Sequence, residues 1–381
     1  MSLSPLPDSC EALLAQMMAI ETVNRQFDGP AGGEERLAAH LEALAQRWGL
    51  ETQRCPIADG ASFNLVITLA PISGAEWILF ESHLDTVSIA GMTVPPLTMT
   101  VKDDRLHGRG SCDTKGSGAA MLWALKIHAG DAGRTRNAGV VFVVDEEAGM
   151  TGAQNFAAND LRRFSPLRGM VVGEPTRLRP VVAHNGALRW RSITRGVAVH
   201  SADPSKGRSA IRAMVSVIDA LEREMIPKAT RTFPLTGRAA ASINVIRGGS
   251  ATNIIPDYCE IWCDRRLVPG EAVPDVLAER DAALEGLAVE HDSEFFATPL
   301  PPENSAALHA WIKPALESQG LDASEAGAPY ATDASHYAAA GAQVLVLGPG
   351  DIAQAHTRDE WLEREQLSRA TALYLEILRL P

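Results

Sequence analysis

The sequence predicts an α/β protein: a mostly parallel sheet flanked by helices, interrupted by a smaller inserted α+β module. Three observations predict it. The apolar runs at residues 139–144, 169–172 and 342–347 are continuous rather than alternating, as in strands buried on both faces of such a sheet. Segments of helical period lie between the runs, and each run ends in polar or glycine-rich residues. From about Val181 to about His291 the strands alternate instead; there Cys259, Ile261 and Cys263 face one way, the pattern of a half-exposed antiparallel sheet. The expected division is 1–180 with 292–381 for the larger domain and 181–291 for the module. A chain of 381 residues has room for both.

Each element has its own local reason. Asp8 can cap a helix starting near Ser9, with Glu11 three residues on and Leu13, Leu14, Met17 and Met18 as its apolar face. The stretch Pro30-Ala31-Gly32-Gly33 breaks the chain before a second helix striped by Leu37, Leu41, Leu44, Ala45 and Trp48, with Gly49 as its C-cap. Residues 64–69 and 77–80 read as paired strands. After Gly118, residues 119–125 form a strongly apolar helix. In the module, one helix carries Ile211, Met214, Val215, Ile218 and Leu221, and another runs roughly from Val276 to Leu287. A closing helix spans 364–378.

Bulk properties exclude several function classes. Net charge is −12 with no Lys/Arg cluster, which argues against nucleic acid as a partner. No apolar stretch approaches the roughly 20 residues of a membrane span. The start, Met1-Ser2-Leu3-Ser4-Pro5, lacks the basic segment and apolar run of a signal peptide. Five scattered cysteines, an odd number, argue for a reducing compartment rather than a disulfide framework, and Cys259 and Cys263 read as small buried apolar residues. The expected location is cytoplasmic.

The chemistry gathers where the strands end. His83 closes an apolar run, and Asp85, two residues on, is on its side of a strand, where a carboxylate orients an imidazole for metal binding. Asp113 follows in a glycine-rich loop; Glu146 and Glu147, Glu174, and His356 lie at or just past three further strands. With His83, Asp113, Glu147, Glu174 and His356 as ligands and Asp113 bridging, each of two metals gets three protein ligands, leaving room for a shared water. Two Zn2+, three carboxylates and a bridging hydroxide sum to zero charge. Nitrogen and oxygen ligands suit zinc, with cobalt or manganese as alternatives. Glu146 is then free to be the general base.

The motifs Ser82-His83-Leu84-Asp85-Thr86-Val87, Gly108-Arg109-Gly110 through Asp113-Thr114-Lys115-Gly116, Asp145-Glu146-Glu147, Gly173-Glu174-Pro175-Thr176 and Gln354-Ala355-His356 together are similar to a known set. It resembles the zinc-dependent amidohydrolase family of acetylornithine deacetylase, succinyl-diaminopimelate desuccinylase, aminoacylase and the carboxypeptidase G type enzymes. The resemblance implies that Asp113 bridges, that one metal adds His83 and Glu174 and the other Glu147 and His356, that Asp85 orients His83, and that Glu146 is the base. It implies a cis peptide bond after Asp113. It makes the module a lid that also forms a homodimer. There His200 would stabilise the oxyanion, after closure or from a partner subunit, and Asn253 and Arg266 would hold substrate. A guanidinium suits a substrate carboxylate because its fork binds two oxygens; the rival reading of Arg266 is a salt bridge within the module.

The expected activity is hydrolysis of the amide of an N-acyl amino acid by a metal-bridging hydroxide, in the manner of acetylornithine deacetylase. The alternatives are a dipeptidase or carboxypeptidase, a desuccinylase, or a non-catalytic metal-binding scaffold, which would have no need of Glu146.

Overall fold

Two compact units form in the computed structural model, which describes residues 5–57, 60 and 62–381. The first comprises Met1–Val182, Pro302–Ala326 and Thr332–Pro381, and the second Ala183–Pro301 and Gly327–Ala331. The first unit opens with α1 (Cys10–Met18). Its N-cap is Ser9, whose hydroxyl accepts the Ala12 amide at 3.1 Å. The expected cap, Asp8, instead accepts from the Ser9 hydroxyl. Helix α2 (Gly33–Arg47) buries Leu37, Ala38, Leu41, Leu44 and Ala45, and Gly49 follows it at a φ of 75° that suits glycine.

Next come β1 (Glu51–Pro56), β2 (Phe63–Thr68), β3 (Trp77–His83), β4 (Thr100–Lys102), β5 (Arg105–His107), α3 (Lys115–His128), β6 (Asn137–Val143), α4 (Thr151–Asn159), β7 (Leu167–Val172) and β8 (Val181–His184). Helix α3 is apolar and buried over all of residues 119–125, and lies on β3 and β6. A side chain at Gly118 would meet the Phe142 ring and Ser82 at 2.9 Å, so glycine is what lets α3 approach that closely.

The second unit is a four-stranded sheet of β9 (Gly186–Arg195), β10 (Ala240–Gly248), β11 (Tyr258–Leu267) and β12 (Glu290–Ala297), in the order β10-β11-β9-β12 and antiparallel throughout. Helices α5 (Ala210–Glu224) and α6 (Val273–Ala283) contribute Met214, Val217, Leu221 and Val276 to its core, with Leu188, Trp190, Cys259, Ile261 and Cys263 from the sheet. Ile211 and Val215, expected on the buried stripe of α5, are 40% and 58% exposed, because the helix turns Met214, Val217 and Leu221 inward instead. The other sheet face carries ion pairs such as Arg189–Asp264 and Arg191–Asp292.

The chain returns through α7 (Ala306–Ser318), β13 (Ala326–Ala328), α8 (Ala334–Ala339), β14 (Val344–Val346), β15 (Trp361–Glu363) and α9 (Arg364–Arg379). The eight-stranded sheet has the order β1-β2-β6-β3-β7-β14-β8-β13. Its centre, β6-β3-β7-β14, is parallel, and β1, β2 and β8 pair antiparallel. The expected pairing of 64–69 with 77–80 is corrected here: β6 lies between β2 and β3 and pairs with both. Strands β2 and β3, consecutive in sequence, are not neighbours in the sheet, since β6 enters by a helical crossover from the α3 side. A small sheet, β15-β5-β4, places Glu360 against the loop that follows β5. No helix among the described residues is long and apolar enough to cross a membrane.

Candidate metal centre

The carboxyl ends of the four parallel strands supply the candidate ligands. His83 is the last residue of β3. Glu146 and Glu147 follow β6, Glu174 follows β7, and His356 lies beyond β14. Asp113 sits in the loop before α3, and its peptide bond to Thr114 is cis. The structure brings all five proposed ligands together as two groups that share Asp113. His83 Nε2 lies 3.1 Å from Asp113 Oδ1 and 4.0 Å from Glu174 Oε1. His356 Nε2 lies 3.3 Å from Asp113 Oδ2 and 2.9 Å from Glu147 Oε2. One Asp113 oxygen thus faces each group.

The site's electrostatics call for positive charge. Burial pushes the Glu146 carboxyl well above its usual range, helped by the charges of Asp333, Glu147 and Asp113 and opposed by His83. Burial and the charges of Asp113 and Glu146 push Glu174 up as well, and burial with Asp113 takes Glu147 to about 7. Burial would also raise Asp113, but hydrogen bonds from His356 and His83 outweigh it and hold that carboxyl below the ordinary range. His356 is pushed up to about 10 by its hydrogen bonds to Asp113 and Glu147. Buried carboxyls that resist ionising, beside imidazoles that attract protons, mark a site short of cations. Glu147 Oε1 is buried without a hydrogen bond, an acceptor a metal would use. The donor set of imidazole and carboxylate fits two divalent cations: His83, Asp113 and Glu174 would hold one, and Asp113, Glu147 and His356 the other.

Asp85 touches more than His83. His83 Nδ1 lies 3.0 Å from the Asp85 carbonyl and 3.4 Å from its carboxylate. That carboxylate accepts the backbone amides of Glu146 and Glu147, both at 3.1 Å, and the Asn24 amide at 2.9 Å. It holds the turn carrying both glutamates. Glu360 has the corresponding task for Asp113: one oxygen accepts from Cys112 N and Asp113 N at 2.8 and 3.0 Å, the other from Gly110 N and Arg109 Nη1 at 3.2 and 2.7 Å.

Sequence reasoning missed Asn24, Glu360 and the buried carboxyls of Glu81 and Asp333 beside Glu146. Asn24 and Glu360 are single polar residues with no spacing pattern around them; their roles exist only after distant segments meet. Glu81, two residues before His83 and within an apolar run, was the one legible hint, because a carboxylate there must be buried with the strand.

The remaining predicted residues belong to the second unit. His200 and Asn253 come together there: His200 pairs with Ile254 in a short ladder, and Ser201 N donates to Asn253 O at 2.9 Å. His200 is exposed, and its Nδ1 accepts the Ala202 amide at 3.1 Å, so a neutral ring carries its proton on Nε2. Arg266 lies on β11 and pairs through Nε with Asp264 at 2.8 Å.

Comparison with known proteins adds four findings. Residues 79–380 match the family model described as Peptidase family M20/M25/M40. An acetylornithine deacetylase of Proteus mirabilis is 32% identical over 86% of this chain and 84% of that one. Among solved structures, the metallo-carboxypeptidase Sso-CP2 of Sulfolobus solfataricus superposes with a TM-score of 0.80 at 17% identity, covering 98% of this chain and 99% of that one. A dinuclear metal binding peptidase of Bacillus subtilis gives 0.66 at 14% identity, over 97% and 96%.

Proposed function

The chain belongs to the M20/M25/M40 peptidase family, and from that premise we propose that it is a two-metal hydrolase releasing a free amino acid from an N-acyl amino acid, as acetylornithine deacetylases do. The observation that carries the reading is Asp113, whose two oxygens face two separate ligand groups while Glu146 stands beside them. Two cations held there would polarise the amide carbonyl and acidify a water. Glu146 takes the proton of the attacking water and gives it to the leaving nitrogen; a carboxyl raised by burial suits both halves of that task. The amide C–N bond breaks, and the products are a carboxylate and a free amine. His200 donates from Nε2 to the carbonyl oxygen as it becomes an oxyanion. Asn253 and Arg266 hold the substrate carboxylate. We take the metals to be zinc, with cobalt or manganese able to substitute.

The second unit acts as lid and dimerisation domain in this reading. Its edge strand β10 exposes Ile246 on the sheet face that α5 covers, and α5 exposes Ile211 and Val215, apolar side chains that a second copy would cover. Free cysteines throughout support a reducing, cytoplasmic setting. A dipeptidase or carboxypeptidase, or a desuccinylase, would use the same centre.

The decisive variant is Glu146→Gln. Loss of the base should lower kcat on N-acetyl-L-ornithine or its analogues by ~10²–10⁴-fold while two metals per chain are retained. Turnover at the parent rate would defeat the mechanism. Panels of N-acyl amino acids and dipeptides with added zinc, cobalt or manganese discriminate the substrate classes, and light scattering of the purified chain at a single-copy mass would remove the dimer.

A further inference from the structure

We infer that Asn24 is a positioning residue: by bridging Asp85 and Asp145 it fixes the turn that carries Glu146 and Glu147, and so controls the Glu147–His356 half of the centre more than the His83–Glu174 half. The inference rests on the reading of Glu146 and Glu147 given above.

Asn24 is 4% exposed and fully wired. Its Nδ2 donates to Asp85 Oδ2 and to Asp145 Oδ1, both at 2.9 Å. Its Oδ1 accepts the Gln26 amide at 3.0 Å, and its backbone N donates to Thr86 O at 2.9 Å. The amide orientation follows from these partners, because the reverse would aim an oxygen at two carboxylates. Without a donor between them, those carboxylates would repel each other. One amide with two N–H groups satisfies both.

The consequence passes directly to the glutamates. Asp85 Oδ1 and Oδ2 accept Glu146 N and Glu147 N. Asp145, the preceding residue, is held at a φ of 65° with its amide on Glu34 Oε1 at 2.8 Å and its Oδ2 taking the Thr151 hydroxyl at 2.7 Å. Asn24 therefore braces the turn at both the residue before the glutamates and the carboxylate beneath them. His83 depends on it less, since Nδ1 is closer to the Asp85 carbonyl, at 3.0 Å, than to the carboxylate, at 3.4 Å. Glu174 belongs to a different loop, after β7.

The test is a calorimetric titration of the metal-stripped full chain with Co2+ alone, paired with kcat and KM on N-acetyl-L-ornithine. Asn24→Asp keeps the side-chain size and the acceptor for Gln26 but turns an oxygen toward the two carboxylates. It should weaken one of the two Co2+ steps by ~10–100-fold, leave the other nearly unchanged, and lower kcat by a similar factor with KM held. Asn24→Ala, which adds no charge, should show the same asymmetry more weakly and serves if the aspartate variant does not fold. Equal weakening of both Co2+ steps, or no weakening in either, would overturn the inference. Glu146→Gln is the control. If it turns over normally while the Asn24 variants lose one Co2+ step, the base assignment fails and the brace on Glu147 stands. If it is inactive and the Asn24 variants behave as the parent, only the role of Asn24 fails.

Discussion

Replacing Glu360 by glutamine should unfasten the loop that presents Asp113. The carboxylate makes four contacts, with Arg109 Nη1 at 2.7 Å and the amides of Gly110, Cys112 and Asp113 at 3.2, 2.8 and 3.0 Å. Glutamine has the same shape but one acceptor oxygen. Whichever way its amide turns, the NH2 meets donors: the Cys112 and Asp113 amides, or Gly110 N and the guanidinium. Arg109, 4% exposed, also loses its counter-charge. Removing one partner of a buried ion pair costs about 3–5 kcal/mol. Arg109 keeps hydrogen bonds to Ser88 O and Thr357 O, so the lower end applies. About 3 kcal/mol is about two decades in the folding equilibrium. Urea unfolding of metal-stripped protein, followed by far-UV circular dichroism and tryptophan fluorescence together, measures it as a lower midpoint at unchanged slope. Adding Arg109→Met should recover part of the loss, because the stranded charge is then gone. A loss below about 1 kcal/mol, the scale of an exposed pair, would refute this account of how the loop is held.

Two further outcomes follow from the site and the second unit. Metal affinity should rise with pH, because a cation must displace protons from Glu147, pushed up to about 7, and from His356, pushed up to about 10. Below the Glu147 value both groups hold protons and binding weakens as pH falls; between the two values His356 still releases one. Calorimetry in buffers of differing ionisation heat reads that release directly, and binding without it at neutral pH would contradict the direction of both shifts. Arg266→Ala should raise KM with kcat nearly unchanged if Arg266 holds the substrate carboxylate. An unchanged KM would leave its pair with Asp264 as its whole role.

The parallel core of the first unit was legible because strands buried on both faces leave uninterrupted apolar runs, and four of the five candidate ligands were legible because each follows or ends such a run, with Asp113 marked instead by its glycine-rich loop. Strand order was not. Residues 64–69 and 77–80 are neighbours in sequence, and nothing in either segment announces that β6 will be laid between them. The stripe of α5 was misjudged for a related reason: Ile211 and Val215 are as apolar as Met214 and Leu221, and only the sheet beneath decides which side is inward. The bracing residues escaped because a buried Asn24 or Glu360 acquires meaning from partners up to 251 positions away.

The order of the four parallel strands ranks the two cation positions. His83 and Glu174 ride on β3 and β7, which are side by side, one at a strand terminus and the other in the segment just after its strand. Glu147 and His356 come from β6 and β14, the outermost of the four, and each reaches inward on a longer excursion of chain. Sheet pitch alone fixes the first pair at close quarters, whereas the second must be assembled from loop conformations that thermal motion can spread. Filling should accordingly be sequential: the inner seat loads at lower metal concentration, and the outer one empties first on dilution.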